Sequence, residues 1–225
     1  MIRLEGITKT YRLNGQAKTV ANNITCTFPS RTAVAIFGRN GAGKSTLLRI
    51  IAGTQEFDAG RVTVQGTVSW PVGFSGSFHG DMTGAQNTRF VARIAGVDTD
   101  ELVDYVRDFA ELGAHYYLPV RTYSSGMRSR LAFGVSMGIK FDTYLVDEAT
   151  AAGDQIFKQK AQEVFTQRMR DSGMVFVTHS LGQAKAICQH GAVLEDGRLH
   201  YYTKVDDALA HHLENVRRAQ AEAGR

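Results

Sequence analysis

The sequence has little cysteine, little proline and no long uninterrupted apolar run. Its two cysteines, Cys26 and Cys188, lie far apart in no paired pattern, so neither a disulfide framework nor a metal cluster is supported. The longest apolar candidate, residues 131–146, contains Lys140 and Asp142, so no membrane-spanning helix is expected. No basic segment followed by an apolar one opens the sequence, and we therefore predict no secretory signal. If the protein works at a membrane, we expect a partner to hold it there.

A strong charge of either sign is also missing. The 26 basic and 22 acidic residues give a formal net charge of +4. Solvated lysines and arginines explain so small an excess, and no nucleic-acid partner is expected. The chain has 225 residues, of which 43% are hydrophobic, so it can bury the core of one large domain or of two small ones.

What the sequence does contain is a phosphate-binding pattern. Residues 38–46 read GRNGAGKST and match G-x-x-x-x-G-K-[ST] at every fixed position. The glycines allow successive backbone N–H groups to point at phosphate oxygens. Lys44 adds a positive charge for the β- and γ-phosphates, and the Ser45 hydroxyl is placed to ligate Mg²⁺.

The flanks of this loop favour the same interpretation over a chance glycine turn. Residues 32–37 read as a buried strand and residues 46–51 as a helix, so the loop leads into a helix N-terminus that favours an anion. We therefore predict that the chain binds a nucleoside triphosphate. The predicted phosphate-binding residues are Gly38, Asn40, Gly41, Ala42, Gly43, Lys44, Ser45 and Thr46.

Two later strands are predicted to end in polar residues at the same edge of a sheet. Residues 143–148 form an apolar strand that ends in Asp147 and Glu148. Asp147 is expected to lie across the neighbouring strand from the loop and to bind Mg²⁺ together with it. Glu148 is expected to be the base that activates the attacking water. The alternative is a pair of solvated acids. Residues 174–179 form another core strand that ends in His179, on the same rim because ligand groups cluster at the carboxyl ends of parallel strands.

Two further signals stay open when they are taken from the residues alone. Tyr11 could stack on an adenine ring, or it could pack on the edge of a sheet. The sequence Ser124-Ser125-Gly126 precedes a helix, where it could form a second anion site or an ordinary N-cap.

The rest of the chain gives a coarse secondary structure without internal repeats. The predicted elements are strands over 1–13 and 19–28, one strand over 61–70 with Gly66 as a kink or turn, a long loop over 71–84, helices over 86–95 and 98–110, a hairpin over 192–202 and a helix over 205–216, with 217–225 frayed. The helices after residue 86 interrupt the nucleotide-binding core and are a candidate subdomain.

The order of these motifs resembles the nucleotide-binding subunit of an ABC transporter over essentially the whole chain. In that resemblance Tyr11 matches the aromatic residue that stacks on adenine, and His179 matches the switch histidine. Residues 124–126 match the signature sequence, which contacts the γ-phosphate held by the partner subunit, and residues 151–154 fall at the D-loop. The resemblance also implies that Glu148 is the catalytic base and that the chain binds ATP and Mg²⁺.

The resemblance implies an α/β fold, the P-loop NTPase of ABC type, with a mixed core sheet flanked by helices, an N-terminal antiparallel β part and an inserted helical subdomain. It implies one ATP-binding domain over 1–225, with the helical subdomain at about 82–140 and a short C-terminal helix at about 204–220. It implies a head-to-tail, ATP-dependent dimer at the cytoplasmic face of the bacterial inner membrane. An integral membrane permease would be contacted through the surface between Pro71 and Pro119.

Some departures from the family pattern narrow the group. The usual Leu-Ser-Gly-Gly-Gln signature reads YSSGM at residues 123–127, and His79 is a candidate for the place where relatives often have a glutamine. Residues 47–53, 69–74, 123–133 and 147–154 resemble ATPases that export bacterial capsular polysaccharide, which work with periplasmic and outer-membrane export proteins. Exporters of O-antigen or teichoic acid are the nearest alternatives, followed by a soluble ABC ATPase and a small-molecule kinase.

Overall fold

A computed structural model describes residues 1–13, 15–73, 76, 78–147 and 155–223. Nine strands and seven α-helices form in this described part of the chain. The strands are β1 (Ile2–Leu13), β2 (Gln16–Phe28), β3 (Ala33–Phe37), β4 (Ala59–Val64), β5 (Val68–Pro71), β6 (Thr143–Asp147), β7 (Gly173–Val177), β8 (His190–Glu195) and β9 (Arg198–Tyr202). The helices are α1 (Lys44–Ile51), α2 (Gly84–Ala95), α3 (Thr99–Ala110), α4 (Ser125–Gly138), α5 (Gln155–Met169), α6 (Leu181–Ile187) and α7 (Val205–Ala223).

The chain divides into two compact units. The first consists of the described residues of 1–71, 142–148 and 172–225, and it contains all nine strands. The second consists of the described residues of 72–141 and 149–171, and it is helical. In the described part of the chain, no helix combines the length and the apolar composition needed to cross a bilayer.

The nine strands of the first unit form two sheets. The smaller is antiparallel, with the strand order β2-β1-β4. The larger has the order β5-β6-β7-β3-β8-β9, and its strands are parallel except for β9, which returns antiparallel to β8. Strands buried on both faces read as continuous apolar runs, and β3 and β7 do so, since nearly all their residues are buried.

The hydrophobic core of the first unit joins both sheets to α1. Ile36 of β3, Leu48 of α1 and Val177 of β7 are members, each at most 2% exposed. Leu4 and Ile24 enter the same cluster from the antiparallel sheet. Burial of each such side chain contributes about 1.5–3 kcal/mol, so this cluster holds the loop between β3 and α1 on a well-packed base.

Aromatic packing organises the helical unit. The ring of Phe109 on α3 stacks on Tyr105 at 5.7 Å and on Phe133 of α4 at 5.9 Å. Phe157 of α5 meets the same ring edge-on at 5.4 Å. Since aromatic pairs at these distances add to the burial of their area, Phe109 ties three of the helices of this unit together.

The predicted fold class agrees with this architecture, but residues 61–70 are not a single strand. β4 ends at Val64 and β5 begins at Val68, in different sheets. Gly66 turns the chain with a φ of 88°. The Asp142 carboxylate fixes the turn, because it accepts hydrogen bonds from the Thr67 N–H at 2.7 Å and the Thr67 hydroxyl at 3.0 Å. These bonds also lower the pKa of Asp142.

The C-terminal helix is longer than expected. The prediction of frayed residues from 217 onward is wrong as far as Ala223, where α7 ends. The Arg218 guanidinium donates a hydrogen bond to Glu195 of β8 at 2.9 Å, and Asn215 donates to the same carboxylate at 2.7 Å. These polar contacts stabilise the last part of α7, which lacks the regularly spaced apolar residues of the part before it.

We expect Gly138→Ala to destabilise the helical unit, because an added methyl group at Gly138 meets Leu102 and comes within 2.8 Å of the Tyr105 ring. Overpacking of this kind costs about 1–3 kcal/mol. Urea denaturation measures the free energy of unfolding. Gly182→Ala is the control, since a Cβ there meets open space. Unfolding of Gly138→Ala at the wild-type urea concentration would show that the packing is looser than described.

Candidate nucleotide site

The predicted phosphate-binding loop joins the end of β3 to the first turn of α1. Gly43 has a φ of 106°, in the region that favours glycine, and an added Cβ would lie 2.8 Å from the Cβ of Val20. At Gly38 an added Cβ would lie 2.5 Å from the carbonyl oxygen of Leu194. Both glycines are therefore required by the space around the loop.

The first turn of α1 is arranged to accept an anion. The residue at its N-cap is Gly43, which provides no side-chain hydrogen bond to the first N–H groups. An α-helix leaves its first N–H groups without partners in the helix, and its dipole favours negative charge at this end. Ser45 and Thr46 lie half-buried in this first turn. The residues therefore fit a bound phosphate chain.

Lys44 lies under the loop and is 7% exposed. Its ammonium donates hydrogen bonds to the carbonyl oxygens of Gly38 at 2.7 Å and Arg39 at 3.0 Å. The positive charge is thus held at the loop by the loop's own backbone. A phosphate oxygen would offer it a stronger, charge-assisted partner.

The register of the larger sheet places the other predicted groups at the same edge. Asp147 pairs with Val177 of β7, and Val177 pairs with Ile36 of β3, just before the loop begins. β7 lies between the Asp147 strand and the loop strand. Asp147 is half-buried and His179, two residues past Val177, is exposed. Glu148 and the predicted D-loop, residues 151–154, lie outside the described residues.

Tyr11 lies beside the first turn of α1. Its hydroxyl is 3.4 Å from both the Thr46 hydroxyl and the Gln55 side-chain oxygen. The Lys9 ammonium lies 5.3 Å from the centre of the ring, and Tyr11 is 40% exposed. An exposed aromatic ring next to the loop suits adenine stacking, which stays a prediction.

The predicted signature residues lie in the helical unit, at the N-terminus of α4. The Ser124 hydroxyl accepts a hydrogen bond from the N–H of Met127 at 3.2 Å, so it forms an ordinary N-cap. Ser125 follows it and both serines are exposed, while Gly126 is half-buried. The cap uses one of the first N–H groups of the helix, and the role of this helix end with a second subunit stays a prediction.

The backbone before α2 is fixed by a buried asparagine. Asn87 accepts a hydrogen bond from the His79 N–H at 2.9 Å and donates to the carbonyl groups of His79, Met82 and Thr83. His79 itself is exposed. These bonds fix the main chain around His79, the residue predicted to stand where relatives often have a glutamine. The imidazole of His79 stays open to solvent.

His212 on α7 is a neighbour of the loop that no sequence pattern indicated. Its ring stacks on Phe37, the last residue of β3, at 5.6 Å. Burial lowers its pKa, and the positive charge of Lys44 and the nearby His179 and His211 lower it further. The apolar pattern of α7 gave no sign of this residue, because the contact depends on how the helix packs.

The chain is similar in sequence to ATP-binding proteins, two of which are named for polysaccharide transport. The family profile described as "ABC transporter" matches residues 21–151. The chain is 44% identical to the polysialic acid transport ATP-binding protein KpsT of Escherichia coli, over 93% of this chain and 95% of that protein. It is 39% identical to the ATP-binding protein BexA of Haemophilus influenzae, over 95% of this chain and 99% of that protein. It is 38% identical to the capsule polysaccharide export ATP-binding protein CtrD of Neisseria meningitidis serogroup B, over 94% and 98%.

Solved structures with the same fold include two ATP-binding proteins. One is the dimeric post-hydrolysis state of the ATP-binding cassette MJ0796 bound to ADP and Pi, with a TM-score of 0.75 and 20% identity over 91% of this chain and 99% of that one. The other is an ATP-binding subunit of an ABC transporter, with a TM-score of 0.77 and 20% identity over 92% and 91%. These similarities confirm the predicted fold class.

We expect Lys44→Ala to weaken ATP binding about 10- to 150-fold, because a hydrogen bond to a charged group contributes about 1.5–3 kcal/mol. Isothermal titration calorimetry with ATP and Mg²⁺ measures the change. Lys185→Ala is the control, since that ammonium pairs with Asp206 at 2.7 Å on the surface. Wild-type affinity in Lys44→Ala would remove Lys44 from the phosphate site.

Proposed function

The chain belongs to the ABC transporter family and is an ATPase of that family, and from this premise we propose that it powers the export of capsular polysaccharide across the bacterial inner membrane. One observation carries the proposal: 38–44% identity, over nearly the whole of both chains, to proteins named for capsule or polysialic acid transport. The arrangement of the loop, Asp147 and His179 at one sheet edge supports the ATPase chemistry.

The substrate ATP would bind with its phosphates along the loop. The N–H groups of the first turn of α1 and the Lys44 ammonium would hold the phosphate oxygens, and Tyr11 would pack against the adenine. Ser45 and Asp147 would hold Mg²⁺, which supplies positive charge to the phosphate chain. Together these contacts fix the γ-phosphate at the edge where β3, β6 and β7 end.

Hydrolysis would need two further groups, Glu148 and His179. Glu148 would accept a proton from the attacking water while the water oxygen bonds to the γ-phosphorus. The bond between the γ-phosphorus and the oxygen that leaves with ADP would break. His179 would donate a hydrogen bond to an oxygen of the transferring phosphoryl group as negative charge develops there. The exposed position of His179 past the end of β7 supports this role.

A second copy of the chain would complete each site. The loop belongs to one unit and the exposed end of α4, with Ser124 to Gly126, to the other. In a head-to-tail dimer, this helix end of one copy would contact the γ-phosphate held by its partner. Loss of the γ-phosphate removes the shared anion, so hydrolysis would let the two copies separate.

An exposed apolar surface supports contact with an integral membrane permease. Phe90 and Ile94 lie one turn apart on α2 and are 53% and 69% exposed. Tyr117 and Leu118 are also exposed in this unit, at 58% and 45%. Exposed apolar side chains that adjoin each other, as Phe90 and Ile94 do, are typical of a docking surface. The protein would then lie at the cytoplasmic face of the inner membrane, with periplasmic and outer-membrane proteins completing the export path.

We expect Glu148→Gln to keep the affinity for ATP, because the amide preserves the shape of the side chain. The rate of phosphate release should fall by about 10²–10⁴-fold with the loss of the base, and an ATP-bound dimer should accumulate. Phosphate release and light scattering measure the two effects. Glu163→Gln, an exposed change on α5, is the control. A normal rate in Glu148→Gln would mean that another group is the base.

We expect the double variant Phe90→Ser, Ile94→Ser to lose its membrane partner while it binds ATP as the wild type does. Affinity purification from detergent-solubilised membranes, followed by mass spectrometry, measures recovery of a polytopic subunit. Leu213→Ser, at an exposed position of the other unit, should recover that subunit normally. Equal recovery by the double variant would contradict the assigned surface, and recovery of ribosomes or nucleic acid by the wild type would overturn the exporter proposal.

A further inference from the structure

A second lysine lies beside the phosphate-binding loop. The ammonium of Lys18, on β2, is 3.3 Å from the position that a Cβ on Gly41 would occupy. Lys18 and the loop residues from Gly38 to Ala42 line the same polar cavity of about 930 Å³. Because Gly41 has no side chain, the Lys18 ammonium lies close to the loop at this residue.

The strand register explains why Lys18 faces the loop. Tyr11 of β1 pairs directly with Lys18 of β2, and paired residues of two antiparallel strands lie on the same face of the ribbon. That face turns toward α1, because the Tyr11 hydroxyl is 3.4 Å from the Thr46 hydroxyl. The two side chains thus reach the loop at different points, Tyr11 at the helix and Lys18 at Gly41.

No acidic side chain in the described part of the chain neutralises the charge of Lys18, since its ammonium forms no ion pair there. Two nearby cations are paired: Lys9 with Asp58 at 3.6 Å, and Arg218, which lines the same cavity, with Glu195 at 2.9 Å. Lys44 is likewise engaged, by the carbonyl groups of Gly38 and Arg39. Arg39 and Arg198 also line this cavity and, like Lys18, have no ion pair among the described residues, but Lys18 is the one whose ammonium lies beside Gly41.

We infer that Lys18 is a second phosphate-binding cation, which contacts the phosphate chain of a bound nucleotide at the Gly41 end of the loop. This inference rests on the proposed function, since it needs ATP in the loop. An ammonium on a long flexible stem can follow the phosphate chain as a point charge. Lys44 would hold the phosphates from below the loop, and Lys18 would hold them from the solvent side.

The test compares Lys18→Met, which keeps the apolar stem and removes the charge, with a matched control. The control is Arg12→Met: Arg12 is an exposed cation on the same ribbon, and as the neighbour of Tyr11 it points to the other face. Calorimetric titration of each protein with ATP and with ADP, at low and at high salt, gives the affinities. The thermal midpoint of each variant checks that the fold is intact.

We expect Lys18→Met to lose about 3- to 10-fold in affinity for ATP at low salt, as a partly exposed charge contact would. The loss should shrink at high salt, because salt screens an exposed charge pair. Lys18→Arg should restore most of the affinity, and Arg12→Met should bind as the wild type does.

Three results would overturn the inference: wild-type affinity in Lys18→Met, an equal loss at both salt concentrations, or an equal loss in Arg12→Met. If Lys44→Ala still loses affinity in those cases, the proposed function stands and only the role of Lys18 fails. If the wild-type protein itself binds neither ATP nor ADP, the proposed function fails with it.

Discussion

The parallel pairing of β3, β7 and β6 is the constraint on which the candidate site depends. Side chains alternate between the faces of a strand, so a register slip of one residue would turn Asp147 away from its observed side. Burial prevents such a slip, because Val146, Phe176 and Ala35 are all at most 5% exposed. The core thus determines where Asp147, His179 and the loop meet.

The loop depends on close packing as much as on its own sequence. Val20 of the antiparallel sheet lies so near Gly43 that no side chain fits there, and the backbone of β8 approaches Gly38 in the same way. The loop is thus held between elements that carry no phosphate-binding pattern. Lys44 already donates to two loop carbonyls, and a bound phosphate would exchange these neutral partners for charged ones.

The core of this site could be predicted from the sequence because its chemistry is local. The loop has fixed spacing, Asp147 ends an apolar strand and His179 follows another, so strand ends and a glycine pattern were enough to place them at one edge of the sheet. Their roles stay predictions. Contacts between distant residues were not predictable in this way. The break at Gly66 depends on Asp142, which bonds a residue 75 positions away, and the length of α7 depends on Arg218 reaching Glu195 across 23 positions. Lys18 was missed for the same reason, since only the β1–β2 register brings it to the loop.

The most direct test of the central claim is a crystal structure of the protein with a non-hydrolysable ATP analogue and Mn²⁺ in place of Mg²⁺. The anomalous signal of manganese locates the metal independently of the other density. We expect the metal to bind Ser45 on the side that faces Asp147, and the phosphates to lie along the first turn of α1. A metal remote from both residues, or phosphates bound away from the loop, would contradict the account.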